Sequence, residues 1–207
     1  MDALSEETDS EGANYAAPLL MTKRLILAAP RPAHVGQIVA LANNRRVAEM
    51  LATMPYPYSD ASALNWIEAS RQSRDHLPRR FAIYLRDRPE TLIGACGIGP
   101  FEAMGSLKEC GETHLGYWIG EPHWGMGYAT EAAQTMVDFA FEVTNLGSIT
   151  CACRVTNPAS RRVIEKCGFQ YCDMMMFHSV GAGGNVAAQR YGLDRGTWRS
   201  LKAWAEK

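Results

Sequence analysis

His114-Leu115-Gly116-Tyr117-Trp118-Ile119-Gly120-Glu121-Pro122-His123-Trp124-Gly125-Met126-Gly127-Tyr128-Ala129-Thr130-Glu131-Ala132 changes character halfway along. Its first part is rich in aromatic and branched residues and predicts a strand. A glycine-punctuated turn follows, and then a helix. Ala129, Ala132, Ala133, Met136, Val137, Ala140 and Val143 recur at i, i+3, i+4 spacing, the period of a helix face packed on a sheet. Glu131, Gln134, Thr135, Asp138 and Glu142 occupy the opposite face. The first turn of a helix leaves backbone N–H groups without partners, and glycine lets a ligand approach them closely. The helix dipole adds positive potential, so an anion site needs no basic side chain.

Trp124, Gly125, Met126, Gly127, Tyr128 and Ala129 are accordingly read as a pyrophosphate cradle, with Thr130 just inside the helix. A dinucleotide fingerprint would need a third glycine where Thr130 stands, which excludes a Rossmann loop. A P-loop would need Gly-Lys-Ser/Thr after a four-residue gap, and this stretch has none. A tight strand-to-helix turn that binds nothing remains the alternative on spacing alone.

The stretch resembles the acetyl-coenzyme A loop of the GNAT acetyltransferase superfamily, Gln/Arg-x-x-Gly-x-Gly/Ala. Pro122-His123-Trp124-Gly125-Met126-Gly127 departs from it at the first position, where Pro122 stands. The longer strings Gly116-Tyr117-Trp118-Ile119 and Trp124 to Ala132 resemble one branch more specifically, that of the ribosomal-protein N-terminal acetyltransferases. Thr22-Lys23-Arg24-Leu25-Ile26-Leu27 is similar to the opening of that branch, and Asn157-Pro158-Ala159-Ser160 with Glu165 to Phe169 is similar to its later motif. The likeness runs from about Thr22 to Leu201. It implies an α/β (α+β) GNAT fold: a mixed, mostly antiparallel sheet of about seven strands, helices on both faces, and splayed central strands. Acetyl-CoA lies in the resulting V.

The resemblance also implies roles. Freed strand amides near a bulge at Tyr117–Trp118, from Trp118 or Ile119, face the pantetheine and thioester. The Asn157 side chain bonds the pantetheine arm, and Ser160 approaches the sulfur as the candidate acid. Family members carry a carboxylate two residues before the Gly-Tyr-Trp glycine. His114 stands there instead, with Glu112 two residues earlier on the same strand face. His114 and Glu112 are thus the candidate bases, His114 being mostly neutral at pH 7 with a reference pKa of about 6.5. The region between the first helices shapes the acceptor pocket in the family. Tyr56, Tyr58, Trp66 and Tyr117 are the acceptor-side candidates, with aromatics closing a core edge as the alternative. Arg161 and Arg162 are candidates for the coenzyme's ribose phosphate.

The acceptor is expected to be a primary amine. A protein α-amine, with a pKa of about 8, is roughly one tenth neutral at pH 7, whereas lysine near 10.4 is about 0.04% neutral. That gap asks roughly 3.3 kcal/mol more of an enzyme acting on lysine. A small amine, polyamine or antibiotic-like, is the alternative acceptor, and a non-catalytic acyl-CoA sensor is the alternative class.

Composition bounds these readings. The 207 residues suit one domain at 21–207 after a disordered acidic lead-in at 1–20. A formal net charge of −1 gives no field for nucleic acid or anionic membrane, and no apolar run suits a span. The acidic start lacks a signal peptide's features, so a cytoplasmic protein is expected, as monomer or homodimer. The six cysteines, at 96, 110, 151, 153, 167 and 172, form no Cys-x-x-Cys and read as reduced core residues, with no metal implied.

The remaining elements follow from punctuation. Strands are expected at Thr22–Leu27, Phe81–Leu85, Thr91–Ile98, Ser148–Val155, Phe169–Val180 and around Ala187–Leu193. Helices are expected after Pro32, from Ala61 to Arg71, and after Asn157. Trp198, Leu201 and Trp204 lie in a short tail.

Overall fold

The computed structural model describes residues 18–71, 80–100 and 113–205. Glu112, Cys110 and most of the expected acidic lead-in lie outside them. Among the described residues, eight strands form one sheet: β1 (Leu20–Met21), β2 (Leu25–Ala28), β3 (Arg80–Leu85), β4 (Leu92–Pro100), β5 (Thr113–Ile119), β6 (Ser148–Arg154), β7 (Gln170–Ser179) and β8 (Gly184–Asp194). Their order is β1-β2-β3-β4-β5-β6-β8-β7. Among these described strands only the β5–β6 pair is parallel, as the intervening helix requires.

The extra strand beyond the expected seven is β1, a two-residue edge pairing Leu20 with Leu27 and Met21 with Ile26. Leu20 is therefore already part of the sheet. The strand expected to begin at Thr22 begins at Leu25 instead. Thr22 is held in a turn, where its hydroxyl accepts from the Leu25 amide at 2.8 Å.

Strand alternation divides the core in two. From β3, Phe81, Ile83 and Leu85 face the layer made by α4 (Tyr128–Val143) and α5 (Pro158–Lys166). Ala82 and Tyr84 face α1 (Val35–Ala42), α2 (Arg45–Ala48) and α3 (Asp60–Arg71). The expected α4 face is buried at Ala132, Ala133, Met136, Val137 and Ala140, but Val143 at its end is exposed.

The C-terminal tail is a helix, α6 (Arg195–Ala205), where no helix is expected from the sequence. Asp194 begins it by accepting from the Thr197 amide at 2.9 Å. Trp198 then stacks on Phe141 and donates to Asp138 at 2.7 Å. Cys96, Cys151, Cys153 and Cys167 are buried free thiols, whereas Cys172 is exposed on the edge strand β7.

Two backbone irregularities position the cleft. Between β3 and β4 the register shifts at Ile83/Tyr84, so the glycine-bearing strand carries a bulge. Between β5 and β6 pairing is reduced to one position, His114 opposite Thr150. Beyond it the strands part. The β4–β5 register runs unbroken from Gly94–Ile119 to Pro100–Thr113, so the splay arises without the bulge expected at Tyr117–Trp118.

Candidate donor and acceptor cleft

A cleft of 1490 Å³ follows the opening between β5 and β6 and crosses the sheet from one helical layer to the other. Trp124, Gly125, Gly127, Tyr128, Ala129 and Thr130 line one end. Gly125 and Gly127 have φ of +76° and +80°. Side chains adopt this left-handed region at a cost, and glycine does not. A Cβ at Gly125 would meet nothing within 4 Å, so conformation rather than space selects glycine there.

The Gly127 N-cap receives no side-chain bond, and the first backbone bond of α4 runs from the Glu131 amide to the Gly127 carbonyl at 3.2 Å. Among the described residues, no backbone carbonyl meets hydrogen-bond geometry with the amides of residues 125–130. These donors and the dipole of a 16-residue helix suit paired phosphates. Trp124 is fixed beside them by donating to the Ile119 carbonyl at 2.6 Å. Arg46 lies over its ring at 5.3 Å and pairs with Glu121, which also accepts from Asn44.

The strand register determines which β5 amides enter the opening. Gly120 donates to the Ile93 carbonyl, which fixes the phase of the antiparallel ladder. By alternation, the amides of His114, Gly116 and Trp118 face β4, and those of Tyr117 and Ile119 face the splay. Of the two amides expected there, Ile119 is so directed. Tyr117 takes the place of Trp118, which lines the cleft by its side chain.

At the base of the cleft, Tyr117 Oη lies 2.9 Å from Ser160 Oγ and donates to the Ser160 carbonyl at 3.2 Å. The sequence places Tyr117 on the acceptor side, but strand alternation turns it toward α5. Burial holds its hydroxyl far above the usual phenol range, so it stays protonated. Asn157 caps α5 as expected, with Oδ1 accepting from the Ser160 amide at 3.1 Å. That bond uses Oδ1 and leaves the Nδ2 donors to serve an amide-bearing ligand.

The acceptor-side candidates divide. Tyr58 is buried, lines the cleft and donates its backbone amide to Asn43 Oδ1; Trp66 lines the same wall. Tyr56 is 45% exposed and is not among the cleft residues. Met50, Leu51 and Met54 complete that wall. Their loop is anchored to β7 where Ser179 donates to the Leu51 carbonyl at 2.8 Å.

His114 lines the cleft near Thr150 Oγ1, at 3.4 Å, and is 8% exposed. Burial lowers its pKa to about 4. Neutrality at pH 7 agrees with expectation, but basicity does not. Taking a proton from an α-ammonium of pKa about 8 would cost about 5 kcal/mol at 1.36 kcal/mol per unit. Of the two phosphate candidates, Arg162 lines the cleft, whereas Arg161 is paired with Glu165; Lys166, not singled out in the sequence, lines the cleft as well.

A contact that sequence reasoning missed reaches the cradle from outside. Arg24 Nε bonds Glu131 Oε2 at 2.7 Å, its amide bonds Glu131 Oε1 at 2.9 Å, and Nη1 bonds the Met126 carbonyl at 2.8 Å. No local signal marks this contact, because Arg24 lies 107 residues from Glu131 and 102 from Met126.

The parallel pair opened into a V places helix-start amides at one end and strand amides along its wall, donors suited to an extended anionic ligand across the sheet. The chain matches the family described as "Acetyltransferase (GNAT) domain" over residues 24–170, and it belongs to that family. Relatives include the uncharacterized N-acetyltransferase p20 of Bacillus licheniformis, 31% identical over 55% of this chain and 62% of that protein. The uncharacterized N-acetyltransferase YoaA of Bacillus subtilis is 31% identical over 74% and 83% of the two chains. The chain thus spans less than two thirds of p20 and most of YoaA.

Solved structures share the fold. The ribosomal L7/L12 α-N-protein acetyltransferase RimL in complex with coenzyme A superposes with a TM-score of 0.68 at 17% identity, over 86% of this chain and 98% of that one. Spermidine N-acetyltransferase from Vibrio cholerae, in complex with CoA and spermine, gives 0.66 at 21% identity over 86% and 99%.

Proposed function

We propose that this protein transfers the acetyl group of acetyl-CoA to a primary amine by direct attack on the thioester, and that a protein α-amine is the preferred acceptor. The observation that carries the reading is the row of cradle amides at Gly125–Thr130 continuing into the Tyr117 and Ile119 amides of the splay. Acetyl-CoA supplies an activated acyl group. The cradle binds its diphosphate, and Asn157 Nδ2 bonds its pantetheine arm. The β5 amides donate to the carbonyl oxygen as charge develops there.

As the amine nitrogen bonds the acyl carbon, the carbon–sulfur bond breaks and the thiolate leaves. Ser160 Oγ, held beside Tyr117 Oη, hydrogen-bonds the departing sulfur, and the thiolate takes its proton from solvent. The nitrogen loses its proton to solvent, and His114 remains a neutral hydrogen-bonding group rather than the base.

The acceptor wall favours an α-amine over a polyamine. Among the described cleft residues Glu49 is the one carboxylate, and Arg45 pairs with it. Arg80 stands in the same lining and opposes a polycation. The buried free thiols support work in a reducing compartment, the cytoplasm.

A coenzyme A release assay against N-terminal peptides and small amines tests this reading. Peptide-dependent release exceeding that with spermidine is expected. Release with spermidine alone would transfer the function to small amines, and donor binding without release to any amine would leave a sensor.

A further inference from the structure

Glu131 presents a problem for the cradle. It is a carboxylate in the first turn of α4, within one turn of amides assigned to a diphosphate. Its negative charge would oppose that ligand unless it were neutralised and aimed away. The chain does both, through a segment more than a hundred residues distant in sequence. Thr22 Oγ1 donates to Glu131 Oε1 at 2.6 Å, and the Arg24 amide bonds the same oxygen at 2.9 Å. The Arg24 guanidinium takes Oε2 at 2.7 Å and lies 4.7 Å from the centre of the Tyr128 ring.

The same guanidinium has a second task. Nη1 donates to the Met126 carbonyl at 2.8 Å. Another turn of helix would pair that carbonyl with the amide four residues on, which belongs to Thr130. The carbonyl is instead turned outward to the arginine, and the helix begins only at Tyr128. At Gly127 a Cβ would lie 3.4 Å from Arg24 Nη2, an ordinary contact, so the φ of +80° rather than space selects glycine there.

Resting on the cradle reading above, we infer that Arg24, oriented by Glu131 and Thr22, is a positioning residue for the diphosphate cradle: it holds the Met126 carbonyl outside and so keeps the Thr130 amide directed to the donor's phosphates. Arg24 acts through Met126 and need not touch the donor. Glu131 serves the site by orienting a cation, so its charge assists an anionic ligand.

The test compares CoA with pantetheine, which has the same arm and thiol but no diphosphate. Dissociation constants are measured by calorimetry or NMR titration, so no acceptor need be known. The wild-type chain should bind CoA far more tightly. Arg24→Met should weaken CoA about tenfold or more, the order of one charge-assisted hydrogen bond, and leave pantetheine within about twofold. Arg24→Lys, which keeps the charge but not the fork, should recover part of the loss.

Glu131→Gln gives an arm of opposite sign. Removing a negative charge near the phosphates should tighten CoA if Glu131 acts by charge alone, whereas the inference expects weaker binding. Unchanged CoA binding in Arg24→Met, equal losses for both ligands, or tighter CoA binding in Glu131→Gln would overturn the inference. Should Arg24→Met fail to fold, Glu131→Gln and Arg24→Lys decide between the two outcomes. Equal binding of CoA and pantetheine by the wild type would instead overturn the cradle reading itself, and the inference with it.

Discussion

Tyr117 Oη and Ser160 Oγ stand 2.9 Å apart, joining the central strand to the first turn of α5 across the base of the splay. Because Tyr117 also bonds the Ser160 carbonyl, loss of either hydroxyl disturbs the orientation of the other. The leaving thiol has a pKa of about 8.5, so it departs readily, and help from an acid should fall below the usual hundredfold. Tyr117→Phe and Ser160→Ala are each expected to lower kcat for thiol release by about threefold to tenfold, and the double variant by little more. A multiplicative loss in the double variant would show that the two hydroxyls act separately.

Gly127→Val should be more damaging than Ser160→Ala. A branched residue at φ +80° is strained, and its methyl groups would press on Arg24. The cradle should distort, lowering kcat/KM for acetyl-CoA by about a hundredfold, chiefly through donor KM. Steady-state kinetics on both variants decide the ranking, and a larger loss for Ser160→Ala would reverse it.

Acid stability should report His114. Its folded pKa of about 4 lies below the unfolded value of about 6.5, so the unfolded state binds more protons between these limits. The contribution is complete above pH 6.5 and declines as pH falls toward 4. It amounts to about 3 kcal/mol by linkage. Urea titrations at pH 7 and pH 4.5 should show His114→Gln with the smaller loss on acidification, and equal slopes would contradict the buried neutral imidazole.

The same burial sets the expectation for catalysis. With an N-terminal peptide, kcat/KM should rise with deprotonation of the α-amine, with an apparent pKa of about 8. An inflection that follows His114→Gln, and not the identity of the acceptor, would restore the histidine as base.

Gly94 is a structural counterpart to the cradle glycines. A Cβ there would sit 2.2 Å from the Trp118 carbonyl, and backbone cannot yield as a side chain does. Gly94→Ala should cost about 1–3 kcal/mol by overpacking, measured by denaturant unfolding. A neutral result would mean that β4 and β5 can separate without loss.

The parts of this molecule legible in the sequence are those where local chemistry and tertiary structure agree. The α4 period, the Asn157–Pro158 start of α5 and the Gly125/Gly127 turn all carry their cause within a few residues. Other features need distant partners. Thr22 looks like the start of a strand because the apolar run Leu25-Ile26-Leu27 follows closely, but its hydroxyl bonds Glu131 from a turn. Trp198 looks like part of a tail until Asp138 and Phe141 give its indole a partner and a stacking face. The direction of Tyr117 depends on the phase of the β4–β5 ladder, which no spacing in β5 reveals. The same limit hid Arg24, whose bonds to Met126 and Glu131 span 102 and 107 residues.

Backbone amide NMR during titration with CoA reaches the central claim most directly. If the mouth of α4 holds the donor's phosphates, the resonances of Gly125 to Thr130 shift strongly with CoA and scarcely with pantetheine. Shifts confined to the pantetheine-facing residues of β5, with those six amides unmoved by saturating CoA, would contradict it.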